Sequence, residues 1–152
     1  MQWHFPLSPC KLNTGIGNAE VHKHNLSVAL GKNLIYASND YETNVAATAM
    51  LKPVSSGIQI LKSGIYIAIA RFSIMTQAGS RISFGCRNFK SASDYVDSID
   101  GTSSASSLED NYVYIRMGLF DEGTYLRPVV SAPNGGTCYA CTLSVISLKA
   151  RA

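Results

Sequence analysis

The chain has 152 residues, 46% hydrophobic and 15% charged, with a formal net charge of +3. This length fits one domain that buries roughly two thirds of its unfolded surface, while the charged fraction is low against a typical ~25%. Because Lys and Arg are scattered singly, the sequence lacks the clustered basic face of a nucleic-acid-binding protein. The low charge indicates either subunit contacts or an exterior rich in Ser, Asn and Thr.

Residues 1–25 show no apolar alternation, and they contain Pro6 and Pro9. This pattern predicts an extended N-terminal docking arm outside the folded domain. Trp3 and Phe5 are the expected anchors, since large aromatic side chains bury much apolar area in a partner's pocket.

Neither a signal peptide nor a membrane span is predicted. The N-terminus has no basic segment followed by an apolar one, and no apolar run reaches the ~20 residues of a membrane helix. The most apolar run, residues 65–74, is interrupted by Arg71. We therefore expect a protein that is made in a cytoplasm and does not span a membrane.

From residue 26 onward, apolar residues alternate with a period of two, which is typical of half-buried strands. Turns rich in Gly, Ser, Pro and Asn separate the runs. A chain of short strands joined by turns predicts an all-β sandwich or barrel. The predicted strands are 26–30, 33–37, 58–60, 64–74, 81–86, 111–120, 125–130 and 138–148.

The run 64–74 is apolar on both faces, which predicts a central strand. One face carries Ile65, Ile67, Ile69 and Arg71, and the other carries Tyr66, Ala68, Ala70 and Phe72. The small Ala68 and Ala70 suit a place where another sheet or subunit approaches closely.

The patterns of three later strands predict which side chains face inward and where the strands are irregular. In 111–120 we predict that Val113, Ile115, Met117 and Leu119 point inward, which leaves Tyr112 and Tyr114 for a subunit interface. Pro128 predicts an edge strand or a bulge for 125–130. A break in the alternation between residues 145 and 146 indicates a bulge or burial on both faces in the last strand.

Residues 91–110 are rich in Ser, Asp and Gly and are predicted to form a long loop, either a binding loop or a flexible connection. Asp94, Tyr95 and Asp97 in this loop, with Tyr125 near an acidic turn, could bind a glycan or another receptor group, since tyrosine rings stack on sugar faces. The alternative is that the tyrosines pack at an interface. The carboxylates lack the spacing of an EF-hand calcium loop.

The sequence predicts no catalytic residues, no metal site and no cofactor. The histidines all lie in the predicted arm, so no residue of the folded part has a histidine base in view. Cys138 and Cys141 have the spacing of a zinc half-site, but in a strand residues three apart point to opposite faces. We expect buried, reduced cysteines.

Three segments resemble the trimeric jelly roll of the tumour-necrosis-factor and C1q superfamily (TNF/C1q). They are the strand-turn-strand Ile-Gln-Ile-Leu-Lys-Ser-Gly-Ile-Tyr-Ile-Ala-Ile-Ala-Arg-Phe at 58–72, the acidic Gly turn and strand at 120–130, and the closing strand at 137–148, which has Tyr-Ala-Cys where the family has Phe-Ser-Gly. The resemblance covers residues 26–148. It implies an all-β jelly-roll sandwich that forms a homotrimer, and we assign Tyr66, Ala68, Ala70 and Phe72 to the trimer core.

The resemblance, together with an N-terminal arm, is similar to phage proteins that carry this fold. The hypothesis is a non-enzymatic structural virion protein of a bacteriophage: a homotrimeric head fibre, capsid decoration or fibre-tip knob. Its domain (26–152) would project from the virion, its arm (1–25) would bind a capsid protein, and it could contact host surface glycans. The alternatives are a free-standing carbohydrate- or ligand-binding jelly-roll module and a cupin-type enzyme, which would require histidines on the strands.

Overall fold

The computed structural model describes residues 17–43, 47–90, 93–103 and 109–150. This part of the chain contains twelve strands, which confirms the predicted all-β class. The strands are β1 (Asn18–Lys23), β2 (Val28–Leu30), β3 (Ile35–Tyr36), β4 (Glu42–Thr43), β5 (Leu51–Val54), β6 (Gly57–Ile60), β7 (Gly64–Met75), β8 (Arg81–Lys90), β9 (Ser93–Thr102), β10 (Asp110–Phe120), β11 (Tyr125–Ser131) and β12 (Gly136–Ala150). Among these residues, no helix of a length and apolarity able to cross a membrane occurs.

The strands form two antiparallel sheets packed face to face. Sheet 1 has the order β10-β7-β12-β1-β4, with β2 also paired to β12. Sheet 2 has the order β5-β6-β11-β8-β9, with β3 also paired to β11. Apart from the hairpins β5–β6 and β8–β9, neighbouring strands in each sheet come from distant parts of the chain, so the architecture is the predicted jelly-roll sandwich.

The core lies between the two sheets and is rich in aromatic rings. Phe72 of sheet 1 and Phe84 of sheet 2 meet edge to face, with centroids 6.1 Å apart. Tyr66 meets Phe120 edge to face at 6.0 Å, within sheet 1. Such contacts contribute about 0.5–1.5 kcal/mol beyond the burial of apolar area. The Phe72–Phe84 contact therefore helps hold the sheets together.

Strand β7 is central in sheet 1, as the sequence predicted. However, the side chains assigned to a trimer core face the second sheet of the same chain: Tyr66, Ala68, Ala70 and Phe72 are at most 1% exposed in the single chain. That assignment is wrong as a subunit contact, because no second chain can reach these residues. The small alanines allow the two sheets of one chain to approach.

The prediction for β10 has the faces reversed. Tyr112, Tyr114 and Phe120 are buried, whereas Val113, Ile115, Met117 and Leu119 are 42–65% exposed. Both faces of this strand are apolar, so alternation alone gave the period but not the direction. The larger aromatic rings fill the space between the sheets.

Two bulges in β12 replace the single irregularity predicted near residue 145. The register with β7 shifts between Cys138 and Ala140 and again between Ser147 and Lys149. Because the first bulge adds Tyr139 to the strand, Cys138 and Cys141 are both buried. The expectation that they point to opposite faces is wrong.

Strand β11 is an interior strand and not the predicted edge. It pairs with β8 on one side and with both β6 and β3 on the other. On the latter side β6 pairs only as far as Leu126 and β3 begins at Val129, so Pro128 lies at the gap between them. Its carbonyl accepts a hydrogen bond from Ala37 N at 3.2 Å, and proline itself has no N–H to donate.

Part of the predicted arm belongs to the folded domain. Residues 18–23 form β1, which pairs with β12 over six residues and with the short β4. Ala19 and Val21 are buried and alternate in phase with the sheet, a two-residue signal too brief to separate from the polar residues around it. Residues 1–16, including Trp3 and Phe5, lie outside the described residues.

The predicted loop 91–110 is also wrong for most of its length. Residues 93–102 form β9, which pairs with β8 through ten residue pairs and makes the edge of sheet 2. Backbone pairing with β8 outweighs the low strand propensity of its Ser, Asp and Gly residues.

Candidate functional site

The outer face of sheet 1 carries a continuous apolar surface, which we call the assembly face. Neighbouring strands place its side chains in rows: Ile115 lies opposite Ile69, and Met117 lies opposite Ile67, which in turn lies opposite Ile146. The face comprises Ile65, Ile67 and Ile69 of β7, Val113, Ile115, Met117 and Leu119 of β10, and Ile146 and Leu148 of β12.

The centre of the assembly face is open to solvent in the single chain. Ile115, Met117 and Leu119 are 63%, 65% and 60% exposed. Soluble monomers seldom leave so many large apolar side chains together in water, and a patch of this kind marks a site of association.

Polar groups border the assembly face. On the β1 side, Ser144 Oγ donates to Glu20 Oε2 at 2.9 Å, and Lys23 pairs with Glu42 at 3.0 Å. At one end of β7, Ser73 donates to Glu109. An apolar centre with a polar rim is the usual composition of a protein–protein interface.

The outer face of sheet 2 differs in chemistry. Its middle carries a stack of arginine and aromatic side chains: Arg127 lies over the Tyr36 ring at 3.4 Å, Arg87 lies over Phe89 at 5.3 Å, and Phe89 stacks on Tyr125 at 5.5 Å. Arg87 also donates to the Tyr36 hydroxyl. These groups bind one another, so this stack stabilises the sheet through cation–π contacts.

A polar pocket of about 480 Å³ opens beside this stack on the same face. Ser83 Oγ donates to Asp100 Oδ1 at 2.5 Å, and an Arg81 terminal N–H donates to Asp100 Oδ2 at 2.8 Å. The hydrogen bond from Ser83, followed by the nearby charge of Arg81, holds the pKa of Asp100 below its usual value. The pocket is lined by Lys32, Leu34, Arg81, Ser83, Ser98, Asp100, Ser131 and Pro133.

Of the four residues predicted to bind a glycan, the two whose side chains the structure describes, Asp97 and Tyr125, have different surroundings. Asp97 accepts a hydrogen bond from the Tyr114 hydroxyl of sheet 1 at 2.6 Å, on the inner side of sheet 2. Tyr125 belongs to the arginine–aromatic stack. Asp94 lies opposite Phe89 in the β8–β9 register and Tyr95 lies opposite Asn88, but their side chains lie outside the described part of the structure.

Sequence reasoning missed the pocket residues. Arg81 and Ser83 of β8 and Ser98 and Asp100 of β9 occupy the outward positions of paired strands. The alternating polar residues of the Arg81–Cys86 run were the available signal for one wall of the pocket. The other wall belongs to β9, and the prediction of a loop at 91–110 hid it.

The three described cysteines are buried, and none is in a disulfide. Burial raises the pKa of Cys86 to about 12, of Cys138 to about 12 and of Cys141 to about 11. Since the thiolate is the reactive form, these thiols are inert at neutral pH. Cys10 lies outside the described residues.

His22 and His24 lie on and just after β1, with ring centroids 5.1 Å apart. Among the described residues, no three His, Cys, Asp or Glu side chains converge as a metal site would require.

Solved structures with very different sequences have the same architecture as this chain. The Eiger TNF of S. frugiperda matches with a TM-score of 0.63 at 11% identity, covering 91% of this chain and 96% of the other. The globular domain of the zebrafish complement 1qA protein matches with 0.61 at 10% identity, covering 88% and 98%. The vertex protein P5 of PRD1 matches with 0.61 at 13% identity, covering 89% and 98%.

This chain has the TNF/C1q-like jelly-roll fold. The resemblance noted in the sequence is thereby confirmed. No protein-family profile matches the sequence, and no curated protein shows significant sequence similarity to it. In this TNF/C1q-like jelly roll, the assembly face and the polar pocket lie on opposite outer faces of the sandwich.

Proposed function

We propose that this chain is a non-enzymatic structural protein of a virion that assembles into a homotrimer through the assembly face. The observation that carries the proposal is the exposure of Ile115, Met117 and Leu119 at the centre of an apolar, polar-rimmed surface. Burying apolar area contributes roughly 25 cal/mol per Å². Closed, symmetric association is the usual way in which soluble proteins cover such a surface.

The virion location is supported by the structural likeness to the vertex protein of phage PRD1. We propose that residues 1–16 bind a capsid protein through Trp3 and Phe5, while the jelly roll projects as a head fibre, decoration or fibre-tip knob. Contact with host surface glycans belongs to this proposal. The second candidate is a free-standing carbohydrate-binding module, which the polar pocket on sheet 2 favours.

The oligomeric state tests the assembly face directly. We expect the full chain to sediment with three times the mass of the 16.4 kDa protomer. Ile115→Asp should give a folded monomer, because three copies would bring charged groups into an apolar interface. Leu34→Asp, which makes the same change on the outside of sheet 2, should remain trimeric. A monomeric wild-type protein at all concentrations up to about 1 mM would refute the assembly face, since a Kd of 1 mM is only about 4 kcal/mol.

The virion role has a separate test. Mass spectrometry of purified particles from the source that encodes the chain should detect it in stoichiometric amounts. Particles that lack the chain, while the free protein still binds saccharide, would favour the free-standing module.

A further inference from the structure

The polar pocket on sheet 2 carries unused binding capacity. Asp100 is already held by Ser83 and Arg81, so its carboxylate is fixed in place. Lys32, in contrast, has no hydrogen-bond or ion-pair partner within the described ranges. Its backbone is held near the pocket because Ala132 N donates to the carbonyl of the preceding Gly31 at 3.0 Å.

The charge of the pocket favours a ligand with one negative group. Its lining holds two cationic side chains, Lys32 and Arg81, and one anionic side chain, Asp100. Arg81 and Asp100 pair with each other at 2.8 Å, which leaves the charge of Lys32 uncompensated. The remaining N–H donors of Arg81 line the same pocket as Lys32, and guanidinium and ammonium groups together suit a carboxylate.

The rest of the lining suits a sugar ring. Ser83, Ser98 and Ser131 supply hydroxyl groups, and the fixed Asp100 carboxylate accepts hydrogen bonds. Leu34 and Pro133 supply apolar edges for the C–H face of a ring. A volume of about 480 Å³ is within the range of small-molecule sites.

We propose that this pocket binds a carboxylated sugar residue of a host or particle surface glycan, with its carboxylate on Lys32 and Arg81 and its hydroxyls on Asp100 and Ser83. The proposal deepens the glycan contact named above and rests on it. Because the pocket and the assembly face lie on opposite sides of the sandwich, trimer formation through sheet 1 leaves the pocket open.

Calorimetric titration of the full chain with methyl β-glucuronide tests the proposal, with methyl β-glucoside as the matched neutral sugar. We expect the glucuronide to bind at least about tenfold more tightly, the effect of about 1.4 kcal/mol. Lys32→Gln should weaken glucuronide binding by about tenfold. Lys52→Gln, which removes the same charge from β5 at the far edge of sheet 2, should leave it unchanged.

The inference would be overturned by the absence of glucuronide binding up to about 20 mM, well beyond the millimolar affinities of weak ligands. Equal binding of the two sugars, or equal losses in the Lys32 and Lys52 variants, would also overturn it. Sodium acetate that competes as well as the glucuronide would also overturn it, since only the anion would then matter. The mass of the same sample separates the two proposals. A trimer that binds no glucuronide contradicts the pocket alone, and a monomer that binds it contradicts the assembly face alone.

Discussion

The Tyr114 hydroxyl donates a hydrogen bond to Asp97 across the space between the two sheets. Burial, and then this hydrogen bond, raises the pKa of Tyr114, so the phenol stays protonated and remains a donor. The pair links β10 of sheet 1 to β9 of sheet 2. This hydrogen bond therefore stabilises the packing of the two sheets against each other where β9 and β10 meet.

Tyr114→Phe should lower the free energy of unfolding by about 1–2 kcal/mol, because the Asp97 carboxylate loses a partner at the sheet edge. Tyr112→Phe is the matched control. Its hydroxyl lies 3.5 Å from Asp110 Oδ2, at the limit of a hydrogen bond, so its loss should change stability by less than about 0.5 kcal/mol. Urea unfolding at one fixed protein concentration measures both. Equal losses would mean that the bond to Asp97 contributes nothing of its own.

The buried thiols predict a decline in stability at high pH. In the unfolded chain a cysteine ionises near pH 8.5, whereas in the folded protein the pKa of Cys86 is about 12. Because only the unfolded chain ionises between these two values, the contribution of Cys86 to the free energy of unfolding is fully present below about pH 8.5. It is lost as the pH rises toward 12. The urea midpoint should therefore fall between about pH 9 and pH 11.

Cys86→Ala provides the control for this effect. The variant should begin less stable, because it loses buried volume, but its midpoint should fall less steeply with pH, because one titrating thiol is gone. Lysine and tyrosine side chains contribute alike to both proteins. Identical slopes would show that the Cys86 thiol does not contribute.

At the level of elements, β1 determines how much of the N-terminus can be removed. Its six backbone pairs with β12 cover the edge of that strand, and Ala19 and Val21 lie in the core. Removing residues 1–16 should leave the melting temperature nearly unchanged. Removing residues 1–23 exposes the β12 edge and should lower it by more than about 10 °C, since roughly 1 kcal/mol corresponds to about 4 °C in a domain of this size.

Circular dichroism on heating compares the two truncations. Val21→Asp in the full chain is an independent check, because it charges a buried position without shortening the chain. Equal melting temperatures for the two truncations would contradict the role given to β1.

The strands show what a single sequence can predict and where it stops. The central position of β7 was predicted from its two apolar faces, one of which packs in the core while the other belongs to the assembly face. Both edges of β7 are paired, with β10 and with β12. The presence of two apolar faces concealed which face of β10 points inward. The bulge at Tyr139 could not be predicted, since one inserted residue changes the facing of Cys141 without changing composition.

At the scale of the whole molecule, the sandwich has two outer faces of different chemistry. Sheet 1 presents aliphatic side chains, whereas sheet 2 presents arginines, serines and a carboxylate. The fold class and the TNF/C1q resemblance could be predicted from strand-turn-strand segments that lie within β6, β7, β11 and β12. The division between faces could not, because it depends on which strands become neighbours, and sheet 2 joins the β8–β9 hairpin to β11 and the β5–β6 hairpin from distant parts of the chain.

Under the proposed trimer and glycan site, the opposite placement of the two faces also determines how strongly the trimer binds a glycan-coated surface. A trimer joined through sheet 1 points three equivalent pockets outward at fixed separations. Once one pocket binds a glycan on a cell, the other two pockets encounter neighbouring glycans at a high effective concentration. Weak single sites then combine into an avidity that can exceed each affinity by 10²–10⁴. Ile115→Asp should therefore leave the affinity for a free monosaccharide unaltered and abolish retention on a surface densely coated with the same sugar.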